Sequence, residues 1–160
     1  CITTHQVDEE MAKGNLSIGN RNPYLEYSEW DWAMDPDGLK YILHELYGRY
    51  EKPLLIIENG LGAEDVLTED HQIHDEYRIK YLQKHINELK KAIELDGVIC
   101  LGYLSWSPID MISAGTSEMN KRYGYIYVDY DDYGNGSGKR YLKDSFYWYQ
   151  KVIASNGKVL

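Results

Sequence analysis

The sequence predicts an α/β fold built on a parallel sheet, and three observations support that prediction. Predicted helices and strands alternate along the 160 residues in the order helix, strand, helix, strand, helix. Both long strands are continuously apolar, as strands covered on both faces of a parallel sheet should be. The middle helix has a single apolar stripe at helical spacing. Two parallel strands do not complete a domain, so we expect residues 1–160 to form one incomplete part of a larger α/β array.

The first helix is predicted over residues 36–50. Asp35 is a suitable N-cap, Pro36 fits the first helical position, and apolar residues then recur at helical spacing. A strand is predicted directly after this helix, at Leu54–Glu58. The polar segment 1–22 has no periodic pattern and is predicted to be a loop.

A second helix is predicted to begin at Asp75 and to end before Gly97. Its apolar stripe consists of Ile79, Leu82, Ile86, Leu89 and Ile93. The second apolar strand is predicted over Val98–Trp106. A short strand or hairpin arm follows at Tyr125–Asp129, and a final helix is predicted over residues 142–154.

Charge and composition limit the classes of partner. A net charge of −9 and a pI near 5.0 argue against nucleic acid and against anionic membrane surfaces. Cys100 lies in an apolar run, which favours a buried free thiol and a reducing, cytoplasmic compartment. His71 and His74 lack a supporting carboxylate pattern and no glycine-rich phosphate loop is present, so we expect no metal and no cofactor.

Glu58 is the first candidate catalytic residue, because it stands where an apolar strand breaks into a glycine turn. Barrel enzymes place reactive groups at such strand ends, where the strand holds them rigidly. The second strand ends at Trp106, and parallel strand ends share one side of a barrel. A carboxylate beside an aromatic platform is typical of a sugar site. The alternatives are an ordinary loop charge for Glu58 and a core cap for Trp106.

A second candidate site follows within a few residues. Ser113, Lys121 and Tyr123 offer hydroxyl groups and a mobile point charge that together can hold a phosphoryl group. The alternative, which the residues alone favour, is that Lys121 and Arg122 are a solvated basic pair.

Three segments also occur in one order and spacing: Ile57–Gly60, Ser105–Asp110 and Lys121–Gly124. With them, the chain resembles the C-terminal third of a family-one glycoside hydrolase, and more narrowly the bacterial 6-phospho-β-glucosidases. The resemblance implies a partial (β/α)8 TIM barrel that contains strands seven and eight with their flanking helices. It also implies that Glu58 is the nucleophile and that Trp106 is the floor of the sugar subsite.

The resemblance further implies a phosphorylated β-glucoside as substrate. Ser113 stands where ordinary β-glucosidases of the family have a Glu that would repel a 6-phosphate, whereas a hydroxyl donates to it. Lys121 and Tyr123 match the family's phosphate-binding Lys and Tyr. Ala114 stands where phosphogalactosidases have Trp, which favours the gluco sugar. Gly115 stands where some phosphoglucosidases have Ser, so we expect its backbone N–H to serve there.

One expected group is missing from the sequence. Retaining glycosidases need two carboxylates about 5–5.5 Å apart, and the family's acid/base Glu lies in an Asn-Glu-Pro motif that this chain lacks. Asn87-Glu88-Leu89 lies within a predicted helix and does not replace it. We therefore expect the intact barrel to hydrolyse 6-phospho-β-D-glucosides with retention, and these 160 residues alone to be inactive. The alternative is a non-catalytic phosphosugar-binding or assembly fragment, whose exposed edges favour self-association.

Overall fold

The computed structural model of the chain describes residues 21–160, so Cys1 and almost all of the predicted loop at 1–22 lie outside the described part. The predicted alternation of helices and strands is confirmed. The elements are β1 (Glu26–Tyr27), β2 (Ala33–Met34), α1 (Pro36–Tyr50), β3 (Leu54–Asn59), α2 (Glu76–Glu94), β4 (Cys100–Ser105), β5 (Ile126–Val128), β6 (Arg140–Leu142) and α3 (Asp144–Ala154).

Strands β3 and β4 pair in parallel, as predicted, and form a two-stranded sheet. Helices α1 and α2 cover one face of this sheet around a buried cluster that includes Leu43, Ile56 and Leu89. The prediction that both faces are covered is wrong for the described residues. The side chains of Leu55 and Ile57 are 47% and 72% exposed, because none of the described elements packs over them.

Local sequence signals explain the bounds of α1. Asp35 Oδ1 accepts a hydrogen bond from the Gly38 N–H (2.8 Å), and Pro36 occupies the first turn. The helix ends where Glu51 adopts a left-handed conformation with φ 49° and donates its N–H to the Tyr47 carbonyl. The predicted range of 36–50 is confirmed.

The other elements begin or end a few residues from the predicted positions. The stripe of α2 is confirmed at Leu82, Ile86 and Leu89, whereas Ile93 is 41% exposed and Ala92 is buried instead. The second strand is shorter than predicted, since it covers only Cys100–Ser105.

The predicted hairpin arm is confirmed, because β5 pairs antiparallel with β6. Since residues 140–142 belong to β6, helix α3 begins at Asp144 rather than at 142. Cys100 is a free thiol, as predicted, but it is half-buried rather than buried. None of the three helices within residues 21–160 is long and apolar enough to cross a membrane.

Candidate active site

The ends of β3 and β4 lie side by side and bring Glu58 and Trp106 to the same edge of the sheet. The Trp106 N–H donates to the Asn59 carbonyl (2.8 Å), and Asn59 is in register with Ser105. Glu58 is exposed, and Trp106 is 38% exposed. The arrangement agrees with the predicted sugar site, while the chemical roles of both side chains stay predictions.

A bulge in β3 lies directly before this edge. From Ile56 to Asn59 the strand advances three residues, whereas β4 advances two, from Tyr103 to Ser105. A β-bulge re-aims side chains and is frequent beside active sites. The Asn59 amide is held by Tyr103, whose hydroxyl donates to Asn59 Oδ1 (2.6 Å). Glu58 therefore projects from an irregular but anchored segment, a feature that the apolar run of β3 does not predict.

The loop that follows Glu58 runs along the second candidate site. Ala63 and Arg122 form an antiparallel bridge, with N–H to carbonyl distances of 3.0 and 2.9 Å. At Gly62, a Cβ would lie 2.9 Å from atoms of both the Lys121 and the Tyr123 side chains. Four Cα steps separate Glu58 from Gly62, a span of at most about 15 Å. Glu58 and Lys121 thus belong to the same region of the molecule.

Ser113, Lys121 and Tyr123 come together as the sequence predicts. The Tyr123 hydroxyl donates to Ser113 Oγ (2.9 Å), and both side chains are buried. Because a serine hydroxyl both accepts and donates, Ser113 keeps its own proton for a further acceptor. The Thr116 N–H lies 3.4 Å from the same Oγ, which closes the loop around Ser113.

Lys121 differs from the prediction in one respect. Its side chain is 0% exposed, so it is neither a mobile charge nor part of a solvated basic pair. Its ammonium lies 4.3 Å from the ring centroid of Trp32 and 5.4 Å from that of Trp30, where the π faces attract it. Among residues 21–160, Nζ has no hydrogen-bond acceptor. Burial lowers the pKa of Lys121, and the nearby Glu118 carboxylate partly offsets this effect.

Arg122, the other half of the basic pair, is also buried and has a structural role. Its guanidinium donates to the carbonyl oxygens of Val128 (2.7 Å) and Tyr130 (2.5 Å) and lies over the ring of Tyr127. It thereby fixes the turn that follows β5.

Sequence reasoning missed Arg78, the residue that joins the two candidate sites. Arg78 Nη1 donates to the carbonyls of Leu61 (2.7 Å) and Tyr123 (3.0 Å), and Nη2 donates to that of Arg122 (3.2 Å). The loop after Glu58 is therefore tied to the segment that contains Lys121. Arg78 precedes Leu82 by four residues, so a charge aligned with the apolar stripe was the available signal.

Three buried carboxylates balance the buried cations. Arg78 Nε donates to Asp75 (3.0 Å), and the Lys143 ammonium donates to Asp110 (2.8 Å) and to Asp65 (2.5 Å). Burial lowers the pKa of Lys143, and the two carboxylates oppose that effect. Buried charges persist only when they are paired in this way.

Both loop histidines contact other side chains within the described residues. His74 Nδ1 contacts the Asp144 carboxylate (2.7 Å), and His71 packs on the ring of Tyr141. In the described part of the chain, no group of three or more potential ligands could hold a metal ion.

Comparison with known proteins identifies the same group of enzymes throughout. The glycosyl hydrolase family 1 model matches residues 2–158. A 6-phospho-β-glucosidase of Dickeya chrysanthemi is 56% identical over 160 residues, which cover 100% of this chain and 34% of the relative. The aryl-phospho-β-D-glucosidase BglH of Bacillus subtilis is 58% identical over 154 residues, which cover 95% of this chain and 33% of the relative.

Solved structures give the same result. A family 1 β-glucosidase from Thermotoga maritima matches with a TM-score of 0.76 and 37% sequence identity. The match covers 86% of this chain and 30% of that structure. The chain thus spans about a third of the length of the curated relatives it matches.

Proposed function

Because the chain belongs to glycosyl hydrolase family 1, whose fold is a TIM barrel that the chain covers in part, we propose that residues 1–160 contribute the last third of a 6-phospho-β-glucosidase. The complete barrel hydrolyses 6-phospho-β-D-glucosides with retention of configuration. In this proposal β3 and β4 are strands seven and eight, and α1, α2 and α3 follow strands six, seven and eight. The high identity to relatives named as 6-phospho-β-glucosidases supports it.

The observation that supports the substrate class best is the Lys121 ammonium, which has no acceptor among residues 21–160. It lies 6.0 Å from the ring centroid of Tyr123, whose hydroxyl donates to Ser113. A buried cation without an acceptor is costly unless a ligand completes it. A phosphate dianion supplies several acceptor oxygens and two negative charges. Ser113 at this position adds a donor, whereas a carboxylate would repel the phosphate.

Glu58 is the proposed nucleophile. Its carboxylate attacks the anomeric carbon, the bond to the leaving oxygen breaks, and a second carboxylic acid protonates that oxygen. Water then hydrolyses the glycosyl ester with the second residue acting as base. Since the sequence lacks an Asn-Glu-Pro motif, the second residue must come from the remainder of the barrel. The 160 residues alone are therefore expected to be inactive.

A fused barrel tests the nucleophile. We would join residues 1–160 behind the first two thirds of the Dickeya chrysanthemi enzyme and measure turnover of an aryl 6-phospho-β-glucoside. Glu58→Gln should reduce kcat by about a thousandfold or more, as removal of nucleophiles does. Glu64→Gln, an exposed charge on the same loop, is the matched control and should leave kcat unchanged. Equal turnover of the Glu58→Gln variant and the parent fusion would refute the assignment.

The exposed sheet face supports a second candidate, a non-catalytic phosphosugar-binding or assembly piece that self-associates. Leu55, Ile57 and Leu101 project from this face, and Leu101 is 70% exposed. Titration of glucose 6-phosphate into the chain, with Lys121→Ala for comparison, measures binding without catalysis, and sedimentation measures self-association. Binding of glucose 6-phosphate by the chain, together with inactivity of the fused barrel, would favour this candidate. For either candidate we propose a cytoplasmic protein that binds neither nucleic acid nor membranes.

A further inference from the structure

We propose that Trp30 is a positioning residue for phosphate recognition, because its indole N–H holds the Glu118 carboxylate away from Lys121. Within residues 21–160 the ammonium then has no hydrogen-bonded anion and keeps its N–H groups for the ligand, while Glu118 acts on it only at longer range. This inference rests on the proposed phosphosugar specificity and adds to it a residue that acts through its effect on two charged neighbours.

A hydrogen bond between distant parts of the chain is the primary observation. Trp30 Nε1 donates to Glu118 Oε2 (2.8 Å), across 88 residues of sequence. Glu118 lies three residues before Lys121, and its carbonyl accepts from the Ser113 N–H (2.9 Å). The Glu118 carboxylate, which lies on the segment between Ser113 and Lys121, is therefore engaged by a neutral donor from the β1–β2 hairpin.

In the described part of the chain, Lys121 contacts aromatic rings and no anion. Within residues 21–160, Glu118 forms no ion pair with Lys121, and the ammonium meets the faces of Trp30, Trp32 and Tyr123. Opposite charges at close range and partial burial attract each other strongly. A Glu118–Lys121 pair would compete directly with a phosphate for the same cation. The indole N–H gives Glu118 another partner and thereby prevents this competition.

The hairpin is built to present both tryptophans to the ammonium. Ser28 Oγ accepts from the N–H groups of Trp30 (3.3 Å) and Trp32 (3.2 Å), and the Asp31 N–H donates to the Ser28 carbonyl. Asp31 adopts a left-handed conformation with φ 56°, which tightens the turn between the tryptophans. The backbone of the turn that carries Trp30 is thus held by local hydrogen bonds, as a positioning role requires.

A double-mutant cycle on the complete 160-residue chain tests the inference, with calorimetric titration of glucose 6-phosphate and of glucose. Trp30→Phe keeps an aromatic face but removes the donor, so Glu118 is free to pair with Lys121. We expect phosphate-dependent affinity to fall about tenfold. Glu118→Gln alone should leave the phosphate-dependent affinity within about twofold of the parent value. The double variant Trp30→Phe/Glu118→Gln should regain the affinity that Trp30→Phe loses. Trp148→Phe on α3, outside this contact set, is the matched control and should change nothing.

A pH profile adds a readout that a structural role would not move. Among residues 21–160, Glu118 and Tyr123 are the titratable groups that face Lys121. In the Trp30→Phe variant, Lys121 should pair with Glu118, so glucose 6-phosphate binding should be lost at a higher pH than in the parent chain. Adding Glu118→Gln to this variant should reverse the shift. Trp30→Tyr, which also lacks the indole donor, replaces Trp30→Phe if melting shows that the phenylalanine variant is unfolded.

The outcomes separate this inference from the proposed function. If the chain binds glucose 6-phosphate no better than glucose, the phosphosugar specificity fails and the role of Trp30 fails with it. If phosphate-dependent binding is present but Glu118→Gln does not rescue the Trp30 variant, only the role of Trp30 is overturned.

Discussion

Gly60 approaches the Trp106 backbone so closely that a Cβ at this position would lie 2.2 Å from the Trp106 carbonyl oxygen. The turn after Glu58 is thus packed against the end of the neighbouring strand. Only glycine allows the two segments to lie at this distance, which explains why the candidate nucleophile is followed so soon by Gly60.

Gly60→Ala should therefore displace the turn. Because the obstructing atom belongs to the backbone, we expect a loss of about 1–3 kcal/mol in the free energy of unfolding, together with lower kcat in the fused barrel. Urea denaturation and steady-state kinetics are the measurements. Gly48→Ala on α1 is the matched control, since no atom lies within 4 Å of the added Cβ, and it should stabilise by about 0.5–1 kcal/mol. Equal stability of the Gly60 variant and the parent would contradict the packing argument.

Arg78→Met should leave Asp75 and Asp65 without their guanidinium partner and free three backbone carbonyls. Removing one partner of a buried ion pair costs about 3–5 kcal/mol, measured here by urea denaturation. Lys80→Met on the exposed side of the same helix is the control. Its pair with Glu76 is exposed, so it should change stability by less than about 1 kcal/mol. A comparable small effect for Arg78→Met would show that the buried network is dispensable.

His74 should stabilise the fold on the acid side of neutrality. The hydrogen bond to Asp144, followed by the charge of that carboxylate, raises the pKa of His74 above 6.5. The contribution is fully present below pH 6.5 and declines as the pH rises through the raised folded-state pKa. His74→Gln should therefore lower the free energy of unfolding near pH 6 and have no effect near pH 9. Asp144→Asn should give the same pH dependence, and the double variant should add nothing to it.

His85 should have the opposite effect. Burial lowers its pKa below 6.5, and its ring Nδ1–H donates to the Tyr81 carbonyl (2.7 Å). The unfolded chain binds a proton more readily, so the native state loses stability as the pH falls through 6.5. His85→Gln should give a flatter profile of unfolding free energy below pH 6.5. An unchanged slope there would contradict the prediction.

Local signals predicted the helices best. The range of α1 follows from Asp35 and Pro36, which act within one turn of the chain, and the stripe of α2 follows from side-chain spacing alone. The covered faces of β3 could not be judged from its apolar run. Such a run identifies a strand but does not show which other elements are present to cover it.

The candidate site depends partly on local sequence patterns and partly on contacts between distant segments of the chain. Glu58 and Trp106 stand at strand ends, so their proximity follows from parallel pairing. The environment of Lys121 does not, because Trp30 and Trp32 come from a distant hairpin that has no periodic pattern. Arg78 is a partial case. Its charge in line with the apolar stripe of α2 is visible in the sequence, but the carbonyl oxygens that it binds are present in every residue, so its partners could not be predicted.

The carbonyl contacts of Arg78 have a consequence for redesign of the proposed phosphosugar site. Since the guanidinium binds main-chain oxygens at positions 61, 122 and 123, exchange of the Tyr123 side chain leaves the contacts that align this segment in place. Libraries that vary Tyr123 should therefore yield folded proteins, for tests of the proposed phosphosugar selectivity, more often than libraries that vary the helix beneath it.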